Sequence, residues 1–273
     1  MYRRVLTMQD ISCVGQCSTT VALPILSACG LEACILPTAL LSTHTGGFGK
    51  PAVVPFDGAL TDIWHHWQEN GITFDAILLG YLGSLEAVKA AGEIIDRLLA
   101  PGGVAIVDPA MADNGKLYSG FDEDYVRAIG SLAGKADIIL PNVTEAAILS
   151  GLPYQENIDR NYVNQLLNGL NHPCAVLTGV DFDEDSTGIV LQEGTVQHEY
   201  RHKRIGNGCH GTGDIFAAVF TGALMQGKNR LDAAKIAADF TCRCIKNTVN
   251  APAHWYGVKF EPLLPELMEM LGR

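Results

Sequence analysis

The sequence predicts an α/β protein of three layers (α/β/α), with helices covering both faces of a mostly parallel central sheet. Two observations carry this expectation. Six short apolar runs, RVLTM (4–8), ACILP (33–37), AILLG (76–80), VAIVD (104–108), DIILP (137–141) and CAVLTG (174–179), alternate with longer helix-like stretches. That is the pattern of buried parallel strands joined by helical crossovers. The 273 residues are 48% hydrophobic and show no linker, repeat or low-complexity tract, so one domain spanning 1–273 is expected, with a substantial core.

Between the strands, helices are expected near 18–29, 57–70, 84–99, 122–133 and 142–170. The segment TTVALPILSACGLEACILPTALLS is apolar enough to suggest a membrane span, but Pro24, Gly30, Glu32 and Pro37 interrupt it. It reads instead as a buried helix followed by a buried strand. After Gly179 the texture changes, and GIVLQEGTVQHEYRH reads as a hairpin about a Glu-Gly turn. Helices follow over 213–226 and 231–246, and a last one closes the chain. Right-handed crossovers put ligands at the carboxyl ends of parallel strands, where this sequence keeps its polar residues.

Composition removes several function classes. A net charge of −11, with RHKR (201–204) as the one basic run, argues against a nucleic-acid surface, which needs clustered cations. MYRR is followed by VLTMQD without the apolar core of a secretory signal. The eight cysteines, at 13, 17, 29, 34, 174, 209, 242 and 244, form no metal-binding spacing, so reduced thiols in a cytoplasmic protein are expected. His65, His66 and Trp67 read as a helix face.

The informative stretch is RIGNGCHGTGDIFAA (204–218), which holds a formal G-x-G-x-x-G at Gly206, Gly208 and Gly211. A dinucleotide fingerprint should follow a strand and meet an acidic residue at the end of the next strand about 20 residues on. Here the acidic candidate is Asp232, at a helix start. A phosphate loop of the G-x-x-x-x-G-K-[ST] type fails as well, because GGFGKP lacks a Gly five positions before Gly49 and has Pro51 where a hydroxyl belongs. What remains is HGTGD feeding a helix, with Ile215, Phe216, Val219, Phe220, Ala223 and Leu224 on one face. The N–H groups of Gly211, Thr212 and Gly213 at that helix start can receive an anion such as a transferring phosphoryl group. Asp214 beside them reads either as a first-turn carboxylate favoured by the helix dipole or as a general base for a substrate hydroxyl.

GTGD followed by a buried helix resembles the signature of the ribokinase-like superfamily. STHTGGFGK near 45, GYLGS (80–84), DPAMADNGKLY (108–118) and LPNVTEAAILSG (140–151) are similar, in order, to blocks of the vitamin B6 kinases, the pyridoxal and pyridoxamine kinases. The resemblance spans nearly the whole chain. It implies a ribokinase-like fold, ATP and Mg2+ as reactants, no membrane or nucleic-acid partner, and a homodimer. A monovalent-cation requirement stays open. It also implies that Asp214 is the catalytic base and that the amides of Gly211, Thr212 and Gly213 form its anion hole.

Asp108, Asp113, Asn142 and Glu145 follow neighbouring strands. Asn142 and Glu145 have the spacing of a helix-capping box, and the four oxygen-bearing side chains also suit water-coordinated magnesium beside ATP phosphates. The resemblance implies this second role, with Asp113 and Glu145 toward the metal and Thr178 also on the nucleotide. Thr45 and Tyr81 are expected to end adjacent strands and to meet a flat ring, and matching family positions line the pyridoxal pocket. Asp10 and Ser12 stand at the exit of the first strand. Many family members carry Ser where this chain has Asp10, and a carboxylate there favours a cationic amine over an aldehyde. Cys209 and His210 precede the anion loop, as a small apolar residue and a loop residue or as a lid with a reactive thiol. The expected activity is phosphorylation of the 5′-hydroxymethyl group of a B6 vitamer. The alternatives are a hydroxymethylpyrimidine kinase and a non-catalytic vitamer-binding protein of the same fold.

Overall fold

The computed structural model describes residues 2–181, 183–206, 209–249, 251 and 253–273. The first strand, β1 (Arg4–Ser12), runs through the middle of a nine-stranded sheet. Its neighbours are β2 (Glu32–Leu41) on one side and β4 (Phe74–Leu79) on the other, both parallel to it. The short β3 (Val53–Pro55) adds antiparallel to β2 and closes that edge. Beyond β4 come β5 (Leu99–Val107), β8 (Ile138–Ile139) and β9 (Cys174–Val180), all parallel. The hairpin of β10 (Ser186–Glu193) and β11 (Val196–Lys203) completes the other edge antiparallel. Its register pairs Glu193 with Val196 across Gly194 and Thr195, so the expected turn lies where the Glu-Gly dipeptide placed it.

Alternation along the strands divides the core into two layers. Leu6, Met8, Ile77 and Leu79 face α2 (Asp57–Glu69), α3 (Leu85–Leu98), α4 (Glu123–Ala133), α5 (Val143–Ser150) and α6 (Arg160–Leu170). Val5, Ala76, Leu78 and Ile106 face α1 (Thr19–Ala28), α7 (Thr212–Met225), α8 (Arg230–Thr248) and α9 (Leu264–Met270). The period of two in a strand sends successive side chains to opposite faces, which is why a run as short as RVLTM serves both layers. This is the three-layer α/β/α architecture with a mostly parallel sheet that the sequence predicts. No helix among the described residues is long and apolar enough to cross a membrane.

Three expectations change. The stretch 142–170 forms two helices, because Gly151 takes the left-handed conformation at φ 70° and ends α5, Pro153 follows, and Asp159 caps α6 through a 2.7 Å bond from the Tyr162 N–H. Pro24 lies inside α1 and Pro37 inside β2, so Gly30 alone separates helix from strand in the apolar segment. Pro37 is tolerated beside a register shift between Gln9 and Ile11, where a ladder donor is dispensable. Thr45 and Tyr81 do not end adjacent strands: they follow β2 and β4, and β1 lies between these two.

Candidate active site

The bulge that shifts the β1 register leaves Asp10 without a pairing partner on β2. A bulge of this kind re-aims a side chain, and the Asp10 carboxylate is buried at 4% exposure, where it accepts a 3.1 Å bond from the Ser12 hydroxyl. Burial pushes its pKa upward, against the pull of hydrogen bonds from Ser18 and Ser12. Asp108 follows β5, with its N–H donating to Leu79 O of the next strand. Asn142 follows β8 and bridges to Thr178 of β9.

These strand ends open into one cleft of about 1060 Å³, at or above the size of a single small-molecule pocket. All the residues singled out from the sequence line it: Asp10, Ser12, Thr45, Tyr81, Asp108, Asp113, Asn142, Glu145, Thr178, Cys209, His210 and the run Gly211 to Asp214. Gly208, the middle glycine of the formal dinucleotide pattern, lies outside the described residues.

At one end of the cleft, α7 begins at Gly211 with φ 83°. A Cβ there would stand 2.0 Å from the Gln16 carbonyl oxygen, so both the backbone angle and the close approach demand glycine. The first-turn amides of α7 have no partner within the helix, and Gly211, Thr212 and Gly213 line the cleft at the positive end of the helix dipole. Asp214 is the acidic residue of that turn. Burial pushes its pKa up to about 7, the Ser18 N–H opposes the rise by hydrogen bonding, and the charge of Asp10 adds to it. A carboxyl poised near neutrality is suited to take a proton from an alcohol.

The capping-box reading of Asn142 and Glu145 is borne out. Asn142 Oδ1 accepts from the Glu145 N–H at 2.9 Å and Glu145 Oε2 accepts from the Asn142 N–H at 2.9 Å, a complete capping box. Glu145 Oε1 also takes the Met111 N–H at 3.1 Å and Asn142 Nδ2 donates to Ala112 O at 2.8 Å. These bonds anchor the flap of β6 (Ala112–Asp113) and β7 (Lys116–Leu117), a small hairpin. Its turn is Asn114-Gly115, with φ 50° and 75°, the dipeptide that a tight hairpin favours. That signal stood in DNGK and was not read. Asp113 turns toward Asn114, accepting from its N–H at 2.8 Å and its amide at 3.0 Å. Burial raises the pKa of both Asp108 and Glu145, and their mutual repulsion adds to the rise in Asp108.

Three further lining residues went unread. His44 Nδ1 accepts from the Gly46 N–H at 2.9 Å and Nε2 faces Tyr256 O at 2.7 Å. The ring is therefore neutral with its proton on Nε2, and burial lowers its pKa. It ties the loop carrying Thr45 to the segment near Trp255, whose ring lies 4.6 Å from Phe48. Tyr118 lies among Glu145, Asp113, Asp108 and Asp214, whose charges together with burial raise its pKa. Ser18 completes the set. Tyr81 is braced by Phe121 at 5.4 Å, itself stacked on Tyr125 at 3.8 Å. His210 packs where a Gly46 side chain would stand, 2.5 Å from its Cβ position. Cys209 is half-buried, and that burial raises its thiol pKa, which works against a standing thiolate.

A parallel sheet that delivers an anion-receiving helix start, an adjacent carboxyl titrating near 7 and a cleft wide enough for two reactants defines a small-molecule phosphotransferase. The comparisons agree. The sequence model of the family described as phosphomethylpyrimidine kinase matches residues 23–258. A crystal structure of pyridoxal kinase from Lactobacillus plantarum is 34% identical, with a TM-score of 0.90 over 99% of this chain and 98% of that one. A candidate phosphomethylpyrimidine kinase from Bacteroides thetaiotaomicron, in a crystal form with pyridoxal, is 30% identical, with a TM-score of 0.88 over 100% and 96%. A pyridoxine/pyridoxal/pyridoxamine kinase of Bordetella avium is 29% identical over 89% of this chain and 85% of its own. The chain belongs to the phosphomethylpyrimidine kinase family, among the vitamin B6 kinases of the ribokinase-like superfamily, and is a kinase.

Proposed function

We propose that this chain transfers the γ-phosphoryl group of ATP to the 5′-hydroxymethyl group of a B6 vitamer, as a step in pyridoxal phosphate salvage. The observation that carries the reading is the junction of Asp214, titrating near 7, with the anion-receiving start of α7 on the floor of one cleft. The vitamer sits between Asp10, Ser12, Thr45 and Tyr81. Asp214 takes the hydroxyl proton, and the amides of Gly211, Thr212 and Gly213 steady the charge on the transferring group. Asp108, Asn142, Glu145 and Thr178 face the nucleotide.

Among the described residues, seven carboxyl side chains line the cleft against Lys203 and Arg204, and Arg204 is paired with Asp181 at 2.7 Å. A polyanionic nucleotide therefore has to arrive with its own cations. The donor set is hard oxygen, which suits Mg2+. Both Glu145 oxygens already accept backbone N–H bonds, and no group of three or more His, Cys, Asp or Glu side chains among the described residues is placed to hold an ion. The residues thus fit a water-clad ion between Asp113, Glu145 and the phosphates. When bound, Mg2+ supplies charge neutralisation at the β- and γ-phosphates. A monovalent cation is compatible with the same surplus of carboxylates.

We place the protein in the cytoplasm, in keeping with eight unpaired cysteines, and treat residues 1–273 as one catalytic domain acting as a homodimer, as the family resemblance implies. The test is ATP turnover on pyridoxal, pyridoxamine, pyridoxine, hydroxymethylpyrimidine and ribose. Preference for hydroxymethylpyrimidine would favour the second reading, which the name of the matching family supports. Vitamer binding without turnover on any of the five would mean a binding protein that kept the fold.

A further inference from the structure

The loop that carries Thr45 is held from several sides, and the holds meet at His44. This residue is 4% exposed, and its backbone N–H donates to Val14 O at 3.1 Å, on the segment that leaves β1. Gly15 of that segment lies so close that a Cβ there would stand 2.0 Å from His44 Cδ2. The His44 ring packs edge-on against Phe48 at 5.1 Å and lies 4.9 Å from the ring of His210 in the anion loop. Phe48 in turn packs against Trp255 and Tyr256 at 4.6 and 5.8 Å, and a Cβ at Gly47 would stand 2.4 Å from the Trp255 ring. The exit of β1, the anion loop and the C-terminal segment around 255 are far apart in sequence, and all three pack around this loop.

Both nitrogens of the His44 ring are committed. Nδ1 accepts from the Gly46 N–H at 2.9 Å, a bond that encloses Thr45 between its two ends. Nε2 reaches across to Tyr256 O at 2.7 Å. A backbone N–H only donates and a carbonyl only accepts, so the two partners together admit one form of the ring, neutral with its proton on Nε2. A second proton, on Nδ1, would face the Gly46 N–H. It would remove the bond around Thr45 and leave the bond to Tyr256 in place.

We propose that His44 is a positioning residue whose neutral, Nε2-protonated ring seats the Thr45 loop on the C-terminal segment and thereby sets the affinity of the pocket for the vitamer. The proposal rests on the reading of Thr45 as a vitamer contact given above. Burial lowers the pKa of the ring from the ordinary 6.5, the bond to Tyr256 opposes the fall, and the charge of His210 adds to it. The seat is therefore intact above that pH, and vitamer affinity falls as acid protonates the ring. Among the described residues, the other titratable groups on the elements around it are Cys13 and Cys17 after β1, Lys50 on its own loop, Cys209 and Asp214 about the anion loop, and His254 and the Tyr256 phenol. Asp10 shares the cleft. All of these remain in a His44 variant, so their titration cancels when variant and wild type are compared at one pH.

Two substitutions separate the two bonds. Asparagine can place its oxygen where Nδ1 stands and glutamine its amide nitrogen where Nε2 stands, so His44→Asn keeps the bond from Gly46 and His44→Gln keeps the bond to Tyr256. Each should weaken pyridoxamine binding about three- to tenfold at pH 8, the scale of one neutral hydrogen bond, measured by titration calorimetry without ATP. The KM for ATP should stay within about twofold. As pH falls, the ratio of the His44→Gln and wild-type dissociation constants should narrow toward one, with its midpoint where ring-carbon NMR shows His44 to titrate, because the protonated ring lacks the same bond as glutamine. In the wild type, nitrogen NMR at pH 8 should show Nε2 protonated and Nδ1 bare, and exchange of the Gly46 N–H should quicken as the ring takes its proton. Trp255→Ala should weaken binding in the wild type and add little to His44→Asn. A ratio that stays constant through the ring titration, a proton on Nδ1 at pH 8, an unchanged Gly46 exchange or additive effects of the two substitutions would each overturn the proposal. If His44→Gln does not fold, the tautomer and the Gly46 exchange decide it on the wild type. A wild type that binds and phosphorylates no vitamer would instead sink the proposed function, and the same two wild-type measurements would still decide whether His44 seats the loop.

Discussion

Asp214→Asn should lower turnover and raise stability in the same molecule, and the second effect reports directly on the environment of the base. The carboxyl titrates at about 7 in the fold, against an ordinary value of 3.8, chiefly because burial disfavours its charge. A rise of about three units corresponds to roughly 4 kcal/mol against the ionised form. Asp214 is only partly covered and faces an open cleft, so half of that, about 2 kcal/mol, is carried forward after solvent screening. For a chain of this length the figure corresponds to roughly 3 to 4 °C in Tm. The sign follows from proton counting: between pH 4 and 7 the native state binds the Asp214 proton more tightly than the unfolded chain does, so stability falls as pH rises through that window. Asparagine carries no such penalty. Calorimetric melting at pH 5 and pH 8 should therefore show the variant's advantage widening toward alkaline pH, while turnover drops roughly 10² to 10⁴-fold. An advantage that stays constant with pH, or a variant that melts below wild type at pH 8, would refute the buried-base argument even if activity were lost.

The same pKa predicts that kcat/KM rises through about pH 7 and levels above it, with activity at pH 6 about tenfold below the plateau. Asp10→Asn removes a charge that raises the Asp214 pKa and should move this limb to lower pH, as a pH-rate profile would show. Glu145→Gln should raise the Mg2+ concentration needed for half-maximal activity; a change in vitamer KM alone would put the residue on the wrong side of the site. Gln retains one acceptor for two backbone donors, so it should also destabilise the flap by about 1 to 3 kcal/mol, visible as faster amide exchange over 111–117. Asp10→Ser should weaken selection of pyridoxamine over pyridoxal by about 10- to 100-fold in the ratio of specificity constants. An unchanged ratio would mean that the carboxylate does not meet the amine.

How far the sequence reached depends on whether the relevant physics is local. The anion loop was legible because GTGD and the helix that follows lie within one short stretch, and a helix start presents free amides wherever it occurs. Asn142 and Glu145 were legible for the same reason, since a capping box is three residues wide. The order of the strands is not local, so Thr45 and Tyr81 reached the right cleft while their strands were wrongly made neighbours. The break at Gly151 was readable in principle, from Gly and Pro two residues apart. Ser18 was not readable at all. Its identity suggests an ordinary N-cap, whereas its backbone stands at φ 53° and its side chain makes no cap to the first turn of α1.

The site also shows why its structural and chemical readings need not compete. Glu145 holds Met111 and Asn142 with its two oxygens, and through them it fixes the hairpin that carries Asp113 over the cleft. Asn142 caps α5 and reaches the same hairpin through Ala112. Backbone bonds to a carboxylate stabilise its charged form and oppose the desolvation that raises its pKa, so the capping box helps Glu145 remain an anion in the fold. A water-bound cation requires that charge. Under the proposed role of Glu145 toward a water-clad cation, a substitution that breaks this N-terminal cap should lower metal affinity, read as a higher Mg2+ concentration for half-maximal activity.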